Sequence, residues 1–322
     1  MNKKKIEINN CNEWYQDTAV LLEEAKDYSV YKFKCTGKGI LYTYNIFDGI
    51  DVIFAEMNSK DVFIPEIPDK NIIEVSWCKK GRVESEFSDN TIAYIQEGDF
   101  GIDATSYTPK CYSFPMGIYE AVTIAINKEG FSQDTRILMN KFSIDIDHVC
   151  DTLGLDKCWY ICKANSKLEH IFREMYAAMG IEDRYYFSIK TLELLHHLQY
   201  LSQINGCELK YFTKSQIQKV KEVKDYLVSH LVEKISIEEY VLSQGMGITT
   251  FRNIFMQIFG ETPSIYLKKY KMAVAALKLK EKNQSITALA LSLGYSNPSK
   301  FTKAFREIYG ILPKDYRKSI ED

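Results

Sequence analysis

The chain has 322 residues, of which 46% are apolar and 26% are charged, and its formal net charge is −2. A chain of this length can form two domains that each bury a core. The composition is that of an ordinary soluble protein. The first residues include lysines without an apolar run behind them, which argues against a signal peptide, and no stretch reaches the roughly 18 apolar residues of a membrane span. We expect a cytoplasmic protein with no membrane partner.

The small net charge hides an uneven distribution along the chain. From Thr213 onward there are 18 lysines and arginines against 11 acidic residues, so this part is basic while the preceding part is acidic. A basic C-terminal part indicates a module that binds a polyanion, joined to a part with another task.

Cysteines and histidines give no sign of a metal or catalytic centre. The eight cysteines form no CxxC pair, which favours reduced thiols; a metal or redox site at Cys158 and Cys162, with Cys150 upstream, is the alternative. The five histidines form neither an HxH…H set nor an HExxH motif, and the adjacent His196 and His197 point about 100° apart on a helix. No GxSxG motif is present. We predict a non-enzyme without a metal or cofactor.

The first part of the chain is predicted to consist of short strands. Runs rich in β-branched and aromatic residues alternate with Gly, Asp and Asn turns. The predicted strands are Tyr28–Cys35, Ile40–Asn45, Val52–Met57, Ile72–Trp77 and Tyr119–Ile126. Many short strands at this spacing predict a β-barrel or sandwich over residues 1–130.

Residues 131–206 have a helical pattern. The apolar side chains of two helices recur at steps of three and four: Leu168, Ile171, Phe172, Met175 and Met179, then Ile189, Leu192, Leu195, Leu198 and Leu201. Such helices can cover the barrel or form a dimer seam, and the pattern leaves both roles open. Asn205-Gly206-Cys207 is a predicted linker, and the capping box Thr213-Lys-Ser-Gln216 opens a third domain over residues 207–322.

This third domain contains an internal repeat. Ile237, Gly245, Phe251, Phe255 and Gly260 return 49 or 50 positions later as Ile286, Gly294, Phe301, Phe305 and Gly310. Each copy is predicted to be two helices joined by a glycine turn, which is a helix-turn-helix. Between the copies, a helix from Pro263 to about Lys280 spans roughly 27 Å, so it can hold two recognition helices near the roughly 34 Å spacing of successive major grooves.

The second copy carries a specific resemblance. The run Ile286-Thr-Ala-Leu-Ala290, Gly294-Tyr295, Pro298-Ser-Lys-Phe301, Phe305, Gly310, Pro313 and Tyr316-Arg317 resembles the C-terminal signature of AraC/XylS transcription regulators. The resemblance implies an all-α DNA-binding domain of two helix-turn-helix units joined by a long helix, with helices at about 248–259 and 298–309 in adjacent major grooves of double-stranded DNA. The chain departs from the family at Gly247, usually a serine N-cap, and at Ala288, usually glutamate.

The resemblance also indicates which side chains face DNA. Those pointing away from the phenylalanines are the candidate base readers: Thr249, Arg252, Asn253, Ser299, Lys300, Thr302 and Lys303. Four basic residues are better placed for phosphates, which position a protein without specifying sequence: Lys268, Lys269, Arg306 and Lys314.

The N-terminal part has a weaker resemblance within the same family. In AraC-like proteins this part is often a cupin-like barrel that binds a small effector, and Glu97-Gly98-Asp99 is similar to a turn of that barrel. Residues 180–195 and 75–81 resemble pyochelin-regulator-like members, which implies a siderophore or a similar hydrophobic metabolite as effector. Aromatic residues on the predicted strands are the candidate pocket lining: Tyr31, Phe33, Tyr42, Tyr44, Trp77, Tyr94, Phe114 and Tyr119.

Together these patterns predict an α+β protein: a cupin-like β-barrel with appended helices, followed by an all-α DNA-binding domain. We expect a transcription regulator, an activator, that dimerises through helices at 165–204 and responds to a small-molecule effector, with RNA polymerase as a further candidate partner. One alternative is a regulator whose N-terminal domain binds a protein and no metabolite. Another is a DNA-repair enzyme carrying the same DNA-binding module, which requires a reactive cysteine that no motif identifies.

Overall fold

The computed structural model describes residues 18–65, 72–181, 183–201, 212–233, 235–279 and 285–318. It divides into two compact units, residues 1–211 and 212–322. The predicted linker Asn205-Gly206-Cys207, and with it the predicted boundary at 206/207, lies outside the described residues.

The N-terminal unit is built on a curled antiparallel sheet. Its strands are β1 (Ala19–Glu24), β2 (Ser29–Phe33), β3 (Lys38–Phe47), β4 (Ile50–Asn58), β5 (Val62–Phe63), β6 (Ile72–Glu86), β7 (Thr91–Gln96), β8 (Asp99–Ala104), β9 (Cys111–Ser113), β10 (Ile118–Asn127) and β11 (Tyr160–Lys163). The main path runs β1-β2-β3-β4-β10-β6-β7, while β8 joins β6 to β11 and β9 joins β6 to β5. The five predicted strands are present; β3, β4, β6 and β10 extend beyond the predicted ends, and β2 is shorter than predicted.

Strand β6 holds the two parts of the sheet together. Its first half pairs with β10 and β8, and its second half pairs with β7 and β9. The register with β10 shifts between Glu120 and Ala121, which marks a bulge near the middle of β6. Bulges bend a strand and increase its twist, so one fifteen-residue strand can serve both parts.

Side chains of the sheet alternate between two buried faces. On one face, residues such as Ile73, Val75 and Trp77 of β6 pack in a core shared with the helices. On the other face, Ile72 and Cys78 of β6 belong to a second core formed with β2, β3, β4, β7 and β10. Because successive residues of a strand point to opposite faces, both cores draw on the same strands.

Four helices follow the sheet: α1 (Gln133–Lys141), α2 (Ile146–Leu153), α3 (Ser166–Ala178) and α4 (Arg184–Leu198). Helix α3 packs against β6 and β10, and α4 packs against α3 and β3. The ring of Phe172 stacks on Trp77 with centroids 5.9 Å apart, and the Tyr44 hydroxyl accepts a hydrogen bond from the Gly180 amide at 3.3 Å. The predicted helical segment thus covers the sheet and also supplies β11.

The apolar series predicted on α4 does not lie on one face. The side chain of Ile189, a member of that series, is 66% exposed, whereas Phe187, Leu194 and Leu195 are buried. The predicted residues recur every three positions, and an α-helix has 3.6 residues per turn. A strict three-residue step therefore drifts around the helix and leaves the buried face.

The C-terminal unit is helical. After two extended residues, Phe212–Thr213, its helices are α5 (Lys214–Ser229), α6 (Ile237–Ser243), α7 (Ile248–Phe259), α8 (Pro263–Leu279), α9 (Ile286–Ser292), α10 (Pro298–Tyr309) and α11 (Pro313–Lys318). The predicted capping box at Thr213 and Gln216 opens α5. The two predicted recognition helices, α7 and α10, have the predicted bounds.

The phenylalanine pairs of the repeat form the two halves of this unit's interior. Phe251 and Phe255 of α7 are buried, as are Phe301 and Phe305 of α10. The phenylalanines of α10 pack in one cluster with Met272 and Ala275 of α8. The long helix therefore contributes to the core of the second helix-turn-helix.

Gly245 and Gly294 occupy equivalent turns of the repeat, and both have positive φ, +70° and +76°. They differ in their surroundings. A Cβ at Gly294 would lie 2.5 Å from the Leu231 carbonyl oxygen, whereas a Cβ at Gly245 would meet nothing within 4 Å. The second turn is packed against backbone, and the first is open.

We expect Gly245→Ala to lower the free energy of unfolding by about 1–2 kcal/mol, the cost of a left-handed alanine. Gly294→Ala should lose about 1–3 kcal/mol more, because the methyl group must displace a backbone carbonyl. Urea titration of the full chain measures both. Equal losses in the two variants would contradict the packing difference between the turns.

Candidate DNA-binding surface and N-terminal cavity

The two recognition helices begin differently. At α10, the Asn297 side chain accepts a hydrogen bond from the Ser299 amide at 2.8 Å, and Pro298 stands at the first helical position. At α7, the N-cap Gly247 has extended backbone and no side chain to cap the helix. Asparagine and glycine caps differ by a few tenths of a kcal/mol. The sequence therefore specifies the start of α10 more strongly than that of α7.

The predicted base readers of α7 lie on its outer face. Thr249, Arg252 and Asn253 are exposed, opposite the buried Phe251 and Phe255. Arg252 donates from Nη2 to the Glu238 carboxylate of α6 at 2.6 Å. Both side chains are more than half exposed, so this ion pair contributes little to stability. It holds the guanidinium at the outer edge of the first helix-turn-helix.

The predicted DNA contacts of α10 form a continuous surface. Ser299, Lys300, Lys303 and Arg306 are exposed, and Thr302 is half-buried. Four of these five residues, all except Lys300, line a shallow groove that also includes Ile286 and Thr287 at the start of α9. The groove brings two cationic side chains beside small hydroxyl groups, a combination suited to phosphate and base-edge contacts.

The two lysines predicted to contact phosphates from α8 are paired with acids. Lys268 bonds to Glu307 of α10, and Lys269 bonds to Glu261 at 2.7 Å. The hydrogen bond and charge of Lys268 lower the pKa of the Glu307 carboxyl. Lys314, on α11, is exposed. The α8 lysines must therefore exchange or share carboxylate partners in order to reach a phosphate.

The second candidate site is a cavity of about 230 Å³ inside the curled sheet of the N-terminal unit. Its lining comes from β2, β3, β4, β6, β7, β8, β9 and β10, and from Trp159 ahead of β11. One wall is apolar and includes Phe33, Phe114 and Trp159. The Trp159 indole N–H donates to the Tyr107 carbonyl at 2.9 Å, which fixes the ring against the wall.

The opposite wall of the cavity is polar. Glu74 and Ser76 of β6, Asp103 of β8, and Tyr119 and Thr123 of β10 face the cavity. The hydroxyls of Ser76 and Thr123 are hydrogen-bonded at 3.0 Å. Burial raises the pKa of the Glu74 and Asp103 carboxyls, and the charge of Glu74 raises that of Asp103 further. Burial likewise raises the pKa of the Tyr119 hydroxyl.

Three of the eight aromatic residues predicted to line a pocket, Phe33, Phe114 and Tyr119, line this cavity. The other five lie outside its lining. Tyr44 and Trp77 are buried in the core beneath the helices, and Tyr42 packs against that core. Tyr31 is buried beside Phe33 without reaching the cavity, and the Tyr94 hydroxyl bonds to Glu84.

For Tyr42, Tyr44 and Trp77, the cause is strand alternation. These side chains pack in or against the core beneath the helices, while Leu41 of β3 and Ser76 of β6 line the cavity. Sequence reasoning based on aromatic residues missed the polar wall. The signal was present in Ile73-Glu74-Val75-Ser76-Trp77, where polar residues alternate with apolar ones inside a predicted buried strand.

The cysteines considered for a metal site are dispersed. Cys150 lies on α2 and Cys162 on β11, and the Cys158 thiol donates to the Gly154 carbonyl at 3.6 Å. Burial raises the pKa of the Cys150 and Cys158 thiols, which makes them less reactive. Within the described ranges, no three His, Cys, Asp or Glu side chains are grouped to hold a metal ion. No helix in those ranges is long and apolar enough to cross a membrane.

Comparison with known proteins matches the C-terminal part of the chain. Residues 243–319 match the family model described as a helix-turn-helix domain. An HTH-type transcriptional regulator of Haemophilus influenzae is 37% identical over 84 residues, which are 26% of this chain and 28% of that protein. The HTH-type transcriptional regulator ExsA of Pseudomonas aeruginosa is 24% identical over 103 residues, which are 32% of this chain and 37% of that protein.

A solved structure of a probable AraC family transcriptional regulator from Rhodopseudomonas palustris is 24% identical, covers 32% of this chain and 97% of its own, and has a TM-score of 0.29. The chain thus spans about a third of the length of the two sequence relatives. Its C-terminal part carries a helix-turn-helix domain.

Proposed function

We propose that the chain is a sequence-specific transcription regulator that binds double-stranded DNA through α7 and α10. One observation carries the proposal: two repeat-related helices bury matching phenylalanines and present polar and basic side chains outward. The spacing of the outward residues, three and four positions apart, matches the way a recognition helix reads a major groove. Activation of transcription and contact with RNA polymerase are expectations drawn from the family resemblance.

Within this function, the N-terminal unit is the sensor. The cavity inside its sheet is lined mostly by strand residues, has an apolar wall and a polar wall, and is of a size suited to a small molecule. A regulator whose N-terminal domain binds a protein and no metabolite is expected to have a filled sheet interior. The cavity therefore favours a metabolite as the effector. The apolar wall suits the hydrophobic metabolite expected from the pyochelin-regulator resemblance. The acidic side chains opposite do not suit the anionic groups of a siderophore.

Helix α4 supports a homodimer through the segment 165–204. Its inner face is buried against the sheet, yet Tyr185 and Ile189 on the helix are each 66% exposed, as are Ile181 before it (79%) and Tyr200 after it (70%). Tyr185 and Ile189 are four positions apart, so they form a short apolar stripe on the outer side of α4. A stripe of this kind on a soluble protein marks an interaction surface. A second copy presenting the same stripe would cover it with two-fold symmetry.

The first experiment tests DNA binding by α10. Changing Lys300 and Lys303 together to alanine should weaken binding to a duplex selected from a random library by about 2–4 kcal/mol. The slope of log affinity against log salt should also fall by about 1.8, since two phosphate or base contacts release counterions. Fluorescence anisotropy at several salt concentrations measures both quantities. The control Lys219→Ala/Lys221→Ala removes the same charge from α5 and should bind the duplex with wild-type affinity. Unchanged affinity on loss of Lys300 and Lys303 would remove α10 from the interface.

The second experiment separates base reading from phosphate binding at α7. Arg252→Ala should cost about 1–3 kcal/mol and relax the preference at one base pair, because an arginine can bond guanine through two hydrogen bonds. Glu238→Gln, which removes the carboxylate now bonded to Arg252, should keep that base preference and should not weaken binding. The measurement is affinity for the selected duplex and its single-base variants. A uniform loss across all duplexes in Arg252→Ala would identify Arg252 as a phosphate contact.

The third experiment tests the dimer. Ile189→Glu places a charge in the centre of the exposed stripe and should convert the dimer to monomer, since an unpaired charge cannot be buried cheaply. Ile137→Glu, at a 43% exposed position on α1, is the matched control and should leave the dimer intact. Sedimentation velocity measures the oligomeric state. A monomeric wild type, or a dimeric Ile189→Glu, would contradict the α4 interface.

A further inference from the structure

Two carboxyl groups face each other on the polar wall of the N-terminal cavity. Glu74 on β6 and Asp103 on β8 are directly opposite in the antiparallel register, and both line the cavity. Side chains paired in this way start about 4.5–5.5 Å apart at Cβ, and like charges so placed destabilise a sheet. Both carboxyl side chains are half-buried. The part of their surface that stays accessible forms part of the cavity wall.

The described part of the chain supplies no cation to this pair. Neither carboxyl has a hydrogen bond or ion pair there, and the residues lining the cavity include no lysine, arginine or histidine. Tyr119 on β10 interacts with both carboxyls, and Tyr112 on β9 also lines the cavity. Neither of these two side chains is positively charged in either protonation state.

Tyr119 gives a second, independent indication of a ligand. Its side chain is half-buried and lines the cavity, and no hydrogen bond to its hydroxyl is found among the described residues. Its ring stacks on Phe114 with centroids 5.0 Å apart, so the phenol cannot turn away without losing that contact. A phenol and two carboxyls that line one cavity without a partner among the described residues form a wall suited to a molecule that donates hydrogen bonds.

We propose that this cavity binds a small organic cation, a protonated amine on an apolar body, with the ammonium group between Glu74 and Asp103. The proposal rests on the sensor role assigned above and names the chemical class of its effector. The ammonium provides three donors and one positive charge, and the Tyr119 hydroxyl can accept one of those hydrogen bonds. The apolar body lies against Phe33, Phe114 and Trp159. A volume of about 230 Å³ restricts that body to roughly one ring.

Three probes with the same aromatic body and different head groups test the charge requirement. These are 2-phenylethylamine, 2-phenylethanol and 3-phenylpropanoate, titrated calorimetrically into the full chain at pH 7.5 without DNA. We expect the amine to bind at least about tenfold more tightly than the alcohol, because charge-assisted hydrogen bonds are stronger than neutral ones. The carboxylate should not bind. Equal affinities for amine and alcohol, tighter binding of the carboxylate, or no binding of the amine would overturn the proposal.

Matched variants connect this preference to the two carboxyls. The double variant Glu74→Gln/Asp103→Asn keeps the shapes and removes both charges, so its affinities for amine and alcohol should become equal. Glu120→Gln removes one negative charge from β10 outside the cavity lining, where Glu120 pairs with Lys79. This control should keep the amine preference. An amine preference that survives in the double variant would overturn the proposal.

A ligand-free measurement keeps the test independent of how tightly any one probe binds. In the wild type, raised carboxyl pKa values mean that the folded chain holds more protons than the unfolded chain above about pH 4. Its stability should therefore fall as pH rises through the raised pKa values. The double variant lacks this loss, so its melting temperature should exceed that of the wild type by a margin that grows from pH 5 to pH 8. A margin independent of pH, or a double variant that melts lower at pH 8, would contradict the unpaired carboxyls.

The outcome is distinguishable from a failure of the proposed regulator function. Binding of the selected duplex by the same wild-type and variant proteins reports on α7 and α10 and needs no ligand. Intact duplex binding without amine preference would remove the cation site alone. Amine preference without duplex binding would leave the cavity assignment in place and remove the regulator.

Discussion

Burial of strand β6 on both faces is the constraint from which the N-terminal unit is organised. A strand that is covered on one face usually exposes polar side chains on its other face. Strand β6 has no solvent-exposed face between Ile72 and Cys78. Its odd-numbered residues are apolar because α3 lies on them. Its even-numbered residues include Glu74 and Ser76, which a packed core would exclude, since buried charge without a partner is costly. The sheet curls and leaves a cavity there, so the polar residues and the empty volume are two aspects of one arrangement.

In the C-terminal unit, each copy of the sequence repeat must likewise bury an apolar face and present a polar one. Each helix-turn-helix needs two phenylalanines inward so that the next residues along the helix point outward, and α8 supplies apolar surface for the second of them. The copies are not equivalent. The start of α10 is capped by Asn297 and its turn is packed at Gly294, whereas α7 begins at Gly247 and its turn is open. The second copy is therefore the more strongly specified by local contacts, and the first keeps its arginine bonded to Glu238 within the protein.

Local signals explain what the sequence could predict. The bounds of α7 and α10 follow from a glycine turn, a proline or glycine start and phenylalanines four apart, all within about fifteen residues. The cavity depends on which strands become neighbours, and the pairing of Glu74 with Asp103 joins residues far apart in sequence through register alone. Composition cannot reveal that register. The role of Ile189 stays open in the sequence for a related reason: a helix with apolar residues on both sides does not reveal which side packs on the sheet.

One strand separates the cavity from the helices. Glu74 and Ser76 face the cavity, while Val75 and Trp77 between them support α3, where Trp77 stacks on Phe172. A shift of β6 that brings Glu74 closer to a bound cation must also move Val75 and Trp77, because all of them belong to one backbone. Close-packed cores do not absorb such shifts without rearrangement. A ligand can change the balance between two arrangements only through its difference in affinity for them. In this unit, that difference would be set at the carboxyl pair and passed to α3, which packs against α4, the helix that carries the exposed stripe.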